Sequence, residues 1–384
     1  MTKKAMISAS VLAVAILGRI GLAEEPTAFS SLCPGVEYRH EVRAVGPLSI
    51  HVLKIDRRQT WDLQTGLGQG TVYGLEPLDG IVRRAAATAK KPAVAAINGD
   101  FFVIKPGPYQ GDPRGLQISQ AELVSRPMGN SFWIDSKGEL KIGPVKSKLE
   151  VIWPDGKAET PLGLNEARAD NEATLYTPTL GLRPDETPRQ PPTTRTVGGR
   201  EFVLERVEGQ PWLPIEAGKT YAAKITEVRD GGSSPLQAGT MILSIGPKLE
   251  VPAAKAGDVL QLAMETKPNL EAVRTAIGAG RILAKDGKPP DLGPENQPRH
   301  PRSMIGWNDG YLFFIVVDGR QPGISIGVTY PEMAAIVKEY GCAEAVELDG
   351  GGSSTLWAMG KVLNSPSDGQ PRALANALIL FRQE

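Results

Sequence analysis

The chain has 384 residues, and its 43 basic residues balance its 43 acidic residues, so it has no formal net charge at pH 7. A balanced chain has no long-range field that would attract nucleic acid or an anionic membrane surface, so an anionic ligand requires a local site. The 43 glycines and 32 prolines are spread along the sequence, which favours strands and loops over helices.

The first 23 residues have the three parts of a secretory signal peptide. Lys3 and Lys4 supply positive charge, residues 5–17 are apolar, and small residues precede a predicted cleavage after Ala23. The apolar run is too short to span a bilayer comfortably. We therefore predict export to the periplasm or the extracellular space, a mature chain of residues 24–384 and no transmembrane segment after cleavage.

The amino-terminal half of the mature chain is predicted to consist mainly of strands. Alternating apolar and polar residues predict strands through much of 36–72, and residues 80–90 have the pattern of a helix. A compact apolar strand then leads to Asp100 and a loop rich in proline and glycine at 103–114. From about 137 to 270, short strands alternate with turns, and we interpret this part as a divergent β-rich insertion or subdomain.

The last third contains a hairpin, a helix and a further strand. The hairpin turns at residues 308–310 and ends before Asp318. Thr329 and Glu332 have the spacing of a capping box, which predicts a helix that Gly341 ends. The connection is long enough for a crossover between parallel strands, which would bring Asp318 and Asp349 to the same sheet edge, where Asp100 could join them.

These elements predict an α+β fold. It has a mixed β-sheet core with few helices, a β-α-β crossover near the carboxyl terminus and a β-rich middle region.

The segment at residues 347–357 places Asp349 before Gly350, Gly351 and Gly352, with Ser353 and Ser354 following. Glycines allow a ligand to approach the main chain and allow backbone N–H groups to form an anion-binding concavity. On its own, such a run is more typical of a tight strand connection without a ligand.

Two further carboxylates have an arginine close by in sequence: Asp318 with Arg320, and Asp368 with Arg372. Paired carboxylates suit glycoside cleavage, and a guanidinium group binds phosphate with two hydrogen bonds. Each pair alone also fits a salt bridge that stabilises a turn. His300 precedes a strand and could be a general acid, although a loop histidine is more often a structural hydrogen-bonding group.

Five segments together resemble the phosphodiester glycosidase family, and they occur in the family's order from about residue 93 onward. They are NGDFF (98–102), RHPRSMIGW (299–307), VVDGRQPGISIGVTYPEMA (316–334), ELDGGGSSTLW (347–357) and NSPSDGQPRALANALILF (364–381). The resemblance implies a hydrolase that releases a sugar from a glycosyl phosphodiester or phosphoglycan.

The resemblance also implies a set of site residues. Those with candidate catalytic roles are Asp349, Asp318, Asp100 and Asp368. Those with candidate substrate-binding roles are Arg302, Arg320, Arg372, Gly350, Gly351, Gly352, Ser353, Ser354, Asn376 and His300. We expect Asp349 or Asp318 to be the catalytic carboxylate, with the other as a base or orienting group, and the arginines and glycine amides to bind the phosphate.

Three alternatives stay open at this point. Asp318, Asp349 and Asp368 could instead hold Ca²⁺ or Mg²⁺ in a metal-dependent phosphodiesterase. The protein could also be a non-catalytic module that binds a cell-envelope glycan or phosphate polymer. Cys33 and Cys342 could form a disulfide in an oxidising compartment or remain two thiols.

Overall fold

The computed structural model describes residues 28–44, 46–156, 159–182, 191–294 and 297–383, and the predicted signal peptide lies outside these ranges. Across the described ranges the chain forms three large β-sheets, a two-stranded ribbon and two α-helices. The prediction of a β-rich fold with few helices is confirmed. The ribbon pairs Glu76–Pro77 with Ala373–Leu374, and short 3₁₀ turns lie at Gly68–Gly70, Pro178–Leu180 and Gly351–Ser353.

One sheet has seven strands, each antiparallel to its neighbours. In spatial order they are Ser30–Cys33, Val36–Arg43, Leu48–Asp56, Tyr311–Val317, Arg302–Trp307, Glu344–Leu348 and Ile282–Ala284. Because successive side chains of a strand point to opposite faces, Ile50 and Val52 join one core cluster while Leu53 and Ile55 join another.

A second sheet has five antiparallel strands and packs face to face on the first. Its strands are Lys361–Val362, Leu356–Ala358, Ala93–Asn98, Asn376–Arg382 and Trp61–Leu67. Leu53 and Ile55 of the seven-stranded sheet share one buried cluster with Ile97 and Leu378 of the five-stranded sheet. The two sheets therefore form a sandwich with a common apolar core.

Each helix covers one outer face of this sandwich. Helix α1 (Leu78–Ala89) packs on the five-stranded sheet through Leu78 and Ile81. Helix α2 (Tyr330–Glu339) packs on the seven-stranded sheet, and its amino terminus has the predicted capping box between Thr329 and Glu332. The result is a four-layer arrangement of helix, sheet, sheet and helix.

The third sheet has eleven strands and contains a closed barrel. In order they are Glu159–Leu164, Ala173–Tyr176, Met241–Ile245, Arg200–Arg206, Thr220–Asp230, Val259–Lys267, Leu140–Ile152, Gly129–Ile134, Thr275–Gly278, Gln117–Ser119 and Glu122–Ser125. Glu159–Leu164 also pairs with Leu140–Ile152, so the first seven strands close on themselves around an apolar core. This barrel occupies much of the middle region.

Helix α2 connects two strands that run in the same direction, Tyr311–Val317 and Glu344–Leu348. Arg302–Trp307 lies between them and is antiparallel to both. The carboxyl ends of the two parallel strands, and the amino end of the strand between them, therefore lie at one edge of the sheet.

The two cysteines are separate thiols in the fold. Cys342 is buried under helix α2, whereas Cys33 packs at the margin of the core between the two sheets. Among the residues that the structure describes, no helix has the length and hydropathy needed to cross a membrane.

Candidate active site

The site lies where the chain passes from one sheet of the sandwich to the other. Residue 349 follows the strand Glu344–Leu348 of the seven-stranded sheet, and Leu356 begins a strand of the five-stranded sheet. Asn98 and Asn376 lie opposite this passage, since Asn98 pairs with Ala377 in the five-stranded sheet. The glycine segment therefore crosses the seam between the two sheets.

Asp349 is held at this seam through its backbone. Its N–H donates to the carbonyl of Gly99 at 2.9 Å, and the side-chain amide of Asn98 donates to its carbonyl at 2.6 Å. The other end of the Asn98 side chain accepts from Ser303 Oγ at 2.6 Å and from the N–H of Thr355 at 3.1 Å. The Asp349 carboxyl is thus presented from a fixed backbone.

Asp100 and Asp349 form a carboxyl pair whose members both bind protons more tightly than usual. Burial, and more weakly the charge of Asp349, raise the pKa of Asp100 to about 7, against the hydrogen bonds from Phe101 and Gly115. Burial raises the pKa of Asp349 to about 6, although nearby Ser353, Gly350 and Arg372 act in the opposite direction. Raised pKa values with a neighbouring carboxyl among the causes are typical of functional sites.

Asp100 is tightly enclosed. Its Oδ2 accepts from the N–H of Gly115 at 2.8 Å, and its own N–H donates to Asn376 Oδ1 at 2.7 Å. A Cβ on Gly278 would lie 2.1 Å from Oδ2, so the absence of a side chain there makes room for the carboxyl. Asp100 is 4% exposed, whereas Asp349 is only partly buried, so Asp349 is the more accessible of the two.

The raised pKa of Asp100 predicts a pH-dependent cost to the fold. A carboxyl whose folded pKa is about 7 contributes stability that is fully present below its ordinary pKa of 3.8 and is lost as pH rises through 7. One pKa unit corresponds to about 1.4 kcal/mol. We expect Asp100→Asn to be more stable than the parent at pH 8, with an advantage that shrinks as pH falls to 5, measured by urea unfolding.

A matched control is Asp56→Asn. Hydrogen bonds from Arg58 lower the pKa of Asp56 to about 2, so this carboxyl is ionised throughout that pH range. The control should therefore change the slope of stability against pH very little between pH 5 and 8. Equal slopes for Asp100→Asn and the parent would show that Asp100 is already ionised in the fold.

Three buried polar groups beside the carboxyl pair have no partner in the described structure. They are the hydroxyls of Ser353 and Ser354 and the side-chain N–H₂ of Asn376, and all three residues are at most 2% exposed. Ser353 lies near enough to lower the pKa of Asp349 but does not meet the geometry of a hydrogen bond. Because buried polar groups are nearly always satisfied, these donors and acceptors indicate a place for a ligand or water.

Arg320 is displayed over the glycine segment by a strained backbone. Its φ is +60°, a conformation that non-glycine residues rarely adopt. A Cβ on Gly351 would lie 3.1 Å from Nη2 of Arg320, so the guanidinium lies against bare main chain. Arg320 is exposed, and within the described ranges it forms no ion pair with a carboxylate; its Nη2 lies 3.3 Å from Nδ1 of His300.

Arg372 and Asp368 form the predicted pair, and it rests directly on Gly352. Arg372 contacts Asp368 Oδ2 through Nε at 3.0 Å and Nη2 at 2.8 Å. A Cβ on Gly352 would lie 2.1 Å from Arg372 Nη2 and 2.3 Å from Asp368 Oδ2. The charge of Arg372 also lowers the pKa of Asp349, so this ion pair lies close to the carboxyl pair.

Two of the three glycine amides are engaged within the fold. The N–H of Gly350 donates to Asp349 Oδ1 at 2.9 Å, and the N–H of Gly351 donates to the Pro301 carbonyl at 2.8 Å. These two amides already have acceptors, which corrects the expectation that they bind an anion. What the glycines provide is space for the guanidinium groups of Arg320 and Arg372.

Arg302 is also engaged within the fold. Its Nη1 donates to Glu347 Oε1 at 2.8 Å inside the fold, and its guanidinium stacks on Tyr330 at 4.2 Å. Glu347 is buried, and burial raises its pKa despite the charge of Arg302. Arg302 therefore pairs with Glu347 through Nη1, while its Nε is buried without a partner in the described structure. Its contact with a phosphate stays a prediction.

Asp318 reaches the expected edge, but its carboxylate is fully engaged. Burial alone would raise its pKa; hydrogen bonds from His51, Asn364 and Ser365, with the charge of His51, more than offset that effect and hold the pKa below the usual range. The residue is 1% exposed. Of the two residues considered for the catalytic carboxylate, Asp349 is accessible and Asp318 is enclosed.

The residues considered for a metal do not converge. Donors surround Asp318, and Asp368 is paired with Arg372. The described residues contain no group of three or more histidine, cysteine, aspartate or glutamate side chains able to hold a metal ion.

For His300, burial and the charges of Arg320 and Arg302 lower the pKa, which makes it a neutral partner of Arg320 near pH 7.

Three residues at this site were not singled out from the sequence. Asn98 connects the two sheets, and His51 contacts Asp318. Arg114 is exposed at the end of the 103–114 loop, and its charge lowers the pKa of both Asp100 and Asp349. Of these three, only Arg114 had a signal in the sequence, because it ends a loop rich in proline and glycine, and such loops often cover a functional site.

Comparison with known proteins supports the resemblance in the carboxyl-terminal part. Residues 221–381 match the family model described as phosphodiester glycosidase, which confirms the predicted resemblance over that region. The chain is also 37% identical over 115 residues to the SPbeta prophage-derived uncharacterized protein YomE of Bacillus subtilis strain 168. That alignment covers 29% of this chain and 18% of the relative.

Two solved structures share the fold. A hypothetical protein from Synechocystis superposes with a TM-score of 0.70 at 21% identity, covering 94% of this chain and 64% of its own. A candidate exported protein from Burkholderia pseudomallei K96243 superposes with a TM-score of 0.60 at 20% identity, covering 88% of this chain and 74% of its own. At these identities the likeness extends to the fold alone, and this chain spans less than two thirds of the relative and of the first structure.

Proposed function

We propose, from the match of residues 221–381 to the phosphodiester glycosidases, that this protein is an exported hydrolase that cleaves a glycosyl phosphodiester into a free sugar and a phosphate monoester. The observation that carries the proposal is that two different sets of groups lie near Asp349, since Ser353 and the arginines Arg372 and Arg114 all lower its pKa. One is buried and has unsatisfied hydroxyl and amide groups. The other is exposed and cationic.

The buried surface suits a sugar. The hydroxyls of Ser353 and Ser354 and the amide of Asn376 can donate hydrogen bonds to ring hydroxyls, and each of these groups lacks a partner in the described fold. A site built to hydrogen-bond a hydroxyl rejects analogues without one, because its own buried groups then stay unpaired. These three residues are therefore the proposed sugar contacts.

The cationic surface suits a phosphodiester. Arg320 is exposed without a carboxylate partner in the described ranges, and Arg372 and Arg114 are near enough to affect the pKa of Asp349. A guanidinium group matches the geometry of two phosphate oxygens. These arginines would hold the single negative charge of the diester and the second charge that develops as the phosphate departs.

The reaction requires one carboxylate that stabilises positive charge on the sugar. A phosphate monoester is a good leaving group that needs little protonation, so the bond between the anomeric carbon and the phosphate oxygen breaks as positive charge develops on the sugar ring. Ionised Asp349 faces that charge. Burial raises the pKa of Asp100 to about 7, so part of this more enclosed carboxyl is protonated near neutral pH.

The test is a screen of the purified mature chain against sugar-1-phosphodiesters in ¹⁸O-labelled water. We expect turnover in which the label enters the sugar at its anomeric carbon and the phosphate monoester keeps the bridging oxygen. Label in the phosphate would instead indicate cleavage at phosphorus and sink the glycosidase assignment. Saturable binding without turnover of any substrate would support a phosphoglycan-binding module.

Export rests on two supports of different kinds. The sequence has the pattern of a signal peptide over residues 1–23, and the Burkholderia pseudomallei protein with the same fold is described as a candidate for export. A substrate of the cell envelope, such as a phosphoglycan, would then be within reach of the enzyme.

A further inference from the structure

A chain of hydrogen bonds, half-buried at Tyr38 and buried from His51 onward, connects the strands Val36–Arg43 and Leu48–Asp56 of the seven-stranded sheet to the serine segment. It begins at Tyr38, whose Oη lies 2.8 Å from Nδ1 of His51. The other ring nitrogen, Nε2, lies 2.9 Å from Asp318 Oδ2, and both His51 and Asp318 are buried. His51 therefore stands between a phenol and a carboxylate.

The chemistry of its partners assigns the proton positions around His51. Burial, and then the charge of Asp318, raise the pKa of Tyr38 to about 12, so the phenol keeps its proton and can donate it to Nδ1. Nε2 then carries the ring proton and donates to Asp318. This arrangement gives both ring nitrogens a hydrogen-bond partner.

Hydrogen bonds connect Asp318 to two parts of the site, and the first is the serine segment. Asn364 Nδ2 donates to Asp318 Oδ1 at 3.0 Å and to the carbonyl of Ser354 at 3.0 Å, while Asn364 Oδ1 accepts from the N–H of Leu356 at 2.9 Å. One amide thus holds the backbone on both sides of residue 355, next to the unsatisfied serine hydroxyls.

The second part is the backbone that carries Arg320. The N–H of Asp318 donates to the carbonyl of Ser49 at 2.9 Å, and Ser325 Oγ donates to the carbonyl of Asp318 at 2.6 Å. Both backbone groups of Asp318 are therefore fixed two residues before Arg320, whose φ of +60° requires support from its surroundings.

We propose that His51 is a positioning residue for the reaction: with Tyr38 behind it, it orients the Asp318 carboxylate, which in turn fixes the Ser353–Ser354 segment through Asn364 and the backbone that carries Arg320. This proposal rests on the proposed function, since it assigns the two substrate-binding surfaces to one buried support. His51 itself touches no substrate. A network that served stability alone would stabilise the fold without affecting the reaction.

Two variants separate these roles. His51→Leu removes one of the two side-chain donors to Asp318 Oδ2 and leaves Ser49 Oγ at 3.0 Å, whereas His51→Gln keeps a donor at about the position of Nε2. Because misplacing reacting groups from a distance can cost about 100-fold in rate, we expect His51→Leu to lower kcat by about 10- to 100-fold and His51→Gln to recover part of that loss. Thr160→Val is the destabilised control, since it breaks a buried hydrogen bond from Trp153 inside the barrel.

A double-mutant cycle tests the route through Asp318. If His51 and Asn364 act on the same segment, His51→Leu combined with Asn364→Ala should reduce kcat little more than the more damaging single variant. Losses in kcat that multiply in the double variant would overturn the proposal. A parent-like kcat for folded His51→Leu, at a stability equal to that of Thr160→Val, would overturn it as well. Neither outcome would contradict the proposed function.

Amide hydrogen exchange gives a readout that needs no substrate. We expect His51→Leu to speed exchange at residues 318–325 and 353–356, with Thr160→Val leaving these segments at the parent rate. If the parent turns over no sugar-1-phosphodiester, the proposed function fails, and this measurement still decides whether His51 holds the two segments. Unchanged exchange in both segments would overturn the positioning role.

Discussion

Replacing Asp349 by asparagine is expected to lower kcat on a sugar-1-phosphodiester by about 1,000-fold, which is within the range that single catalytic groups contribute. Its carboxyl is the more accessible member of the pair with Asp100, and Ser353 and Arg372 are both near enough to lower its pKa. Asparagine keeps the side-chain shape and can still accept from the N–H of Gly350. The charge that would stabilise the developing positive sugar ring is lost.

The measurement is steady-state kinetics with the parent's best substrate from the screen. The matched control is Asp170→Asn, which removes an exposed aspartate paired with Lys248 in the barrel region and should retain parent kinetics. Asp318→Asn is an informative companion, because it should disturb folding stability as well as rate. Parent-like turnover by Asp349→Asn would remove Asp349 from the reaction.

Gly352→Ala is expected to lower kcat/KM by about 10- to 100-fold while leaving the fold at least as stable as the parent. The new methyl group would occupy the position of Arg372 Nη2 and Asp368 Oδ2, which are ends of flexible side chains and can move away. Gly352 does not have the positive φ that would strain alanine, and alanine restricts the unfolded chain. The variant therefore displaces a cation without breaking the backbone.

Kinetics and urea unfolding of the same samples test this expectation. Gly310→Ala is the control, because its new methyl group would meet only Asn308 Oδ1 at 3.7 Å. Arg372→Ala should produce a comparable loss, and combining it with Gly352→Ala should add little, since both act on one guanidinium. Full activity in folded Gly352→Ala would show that the ion pair on this glycine does not serve the reaction.

The parts of the site that follow from local pattern could be predicted from the sequence. The glycines after Asp349 predict that other groups approach the main chain closely. The capping box at Thr329 follows from the spacing of three residues to Glu332. Arg320 was singled out from the sequence as a candidate site residue, although its positive φ was not predicted. In each case the signal lies within a few neighbouring residues.

What the sequence could not predict depends on pairings between distant strands. Arg302 was predicted as a phosphate ligand from the family resemblance, and its ion pair with Glu347, which lies on the adjacent strand 45 residues away, could not be foreseen. His51 looked like an ordinary residue of an alternating strand, since its contact with Asp318 spans 267 residues. Burial and partners decide these roles, and neither can be read from a short window.

The position of the site on the seam between two sheets has a consequence for folding. The bonds from Asn98 to Asp349 and from Asp100 to Asn376 join residues 251 and 276 positions apart, so their loops are among the longest that the chain can close. The first bond crosses the seam and forms only when the two sheets have docked, whereas the second joins neighbouring strands of the five-stranded sheet. Recovery of activity during refolding therefore reports completion of the whole sandwich, and no early intermediate has a working site.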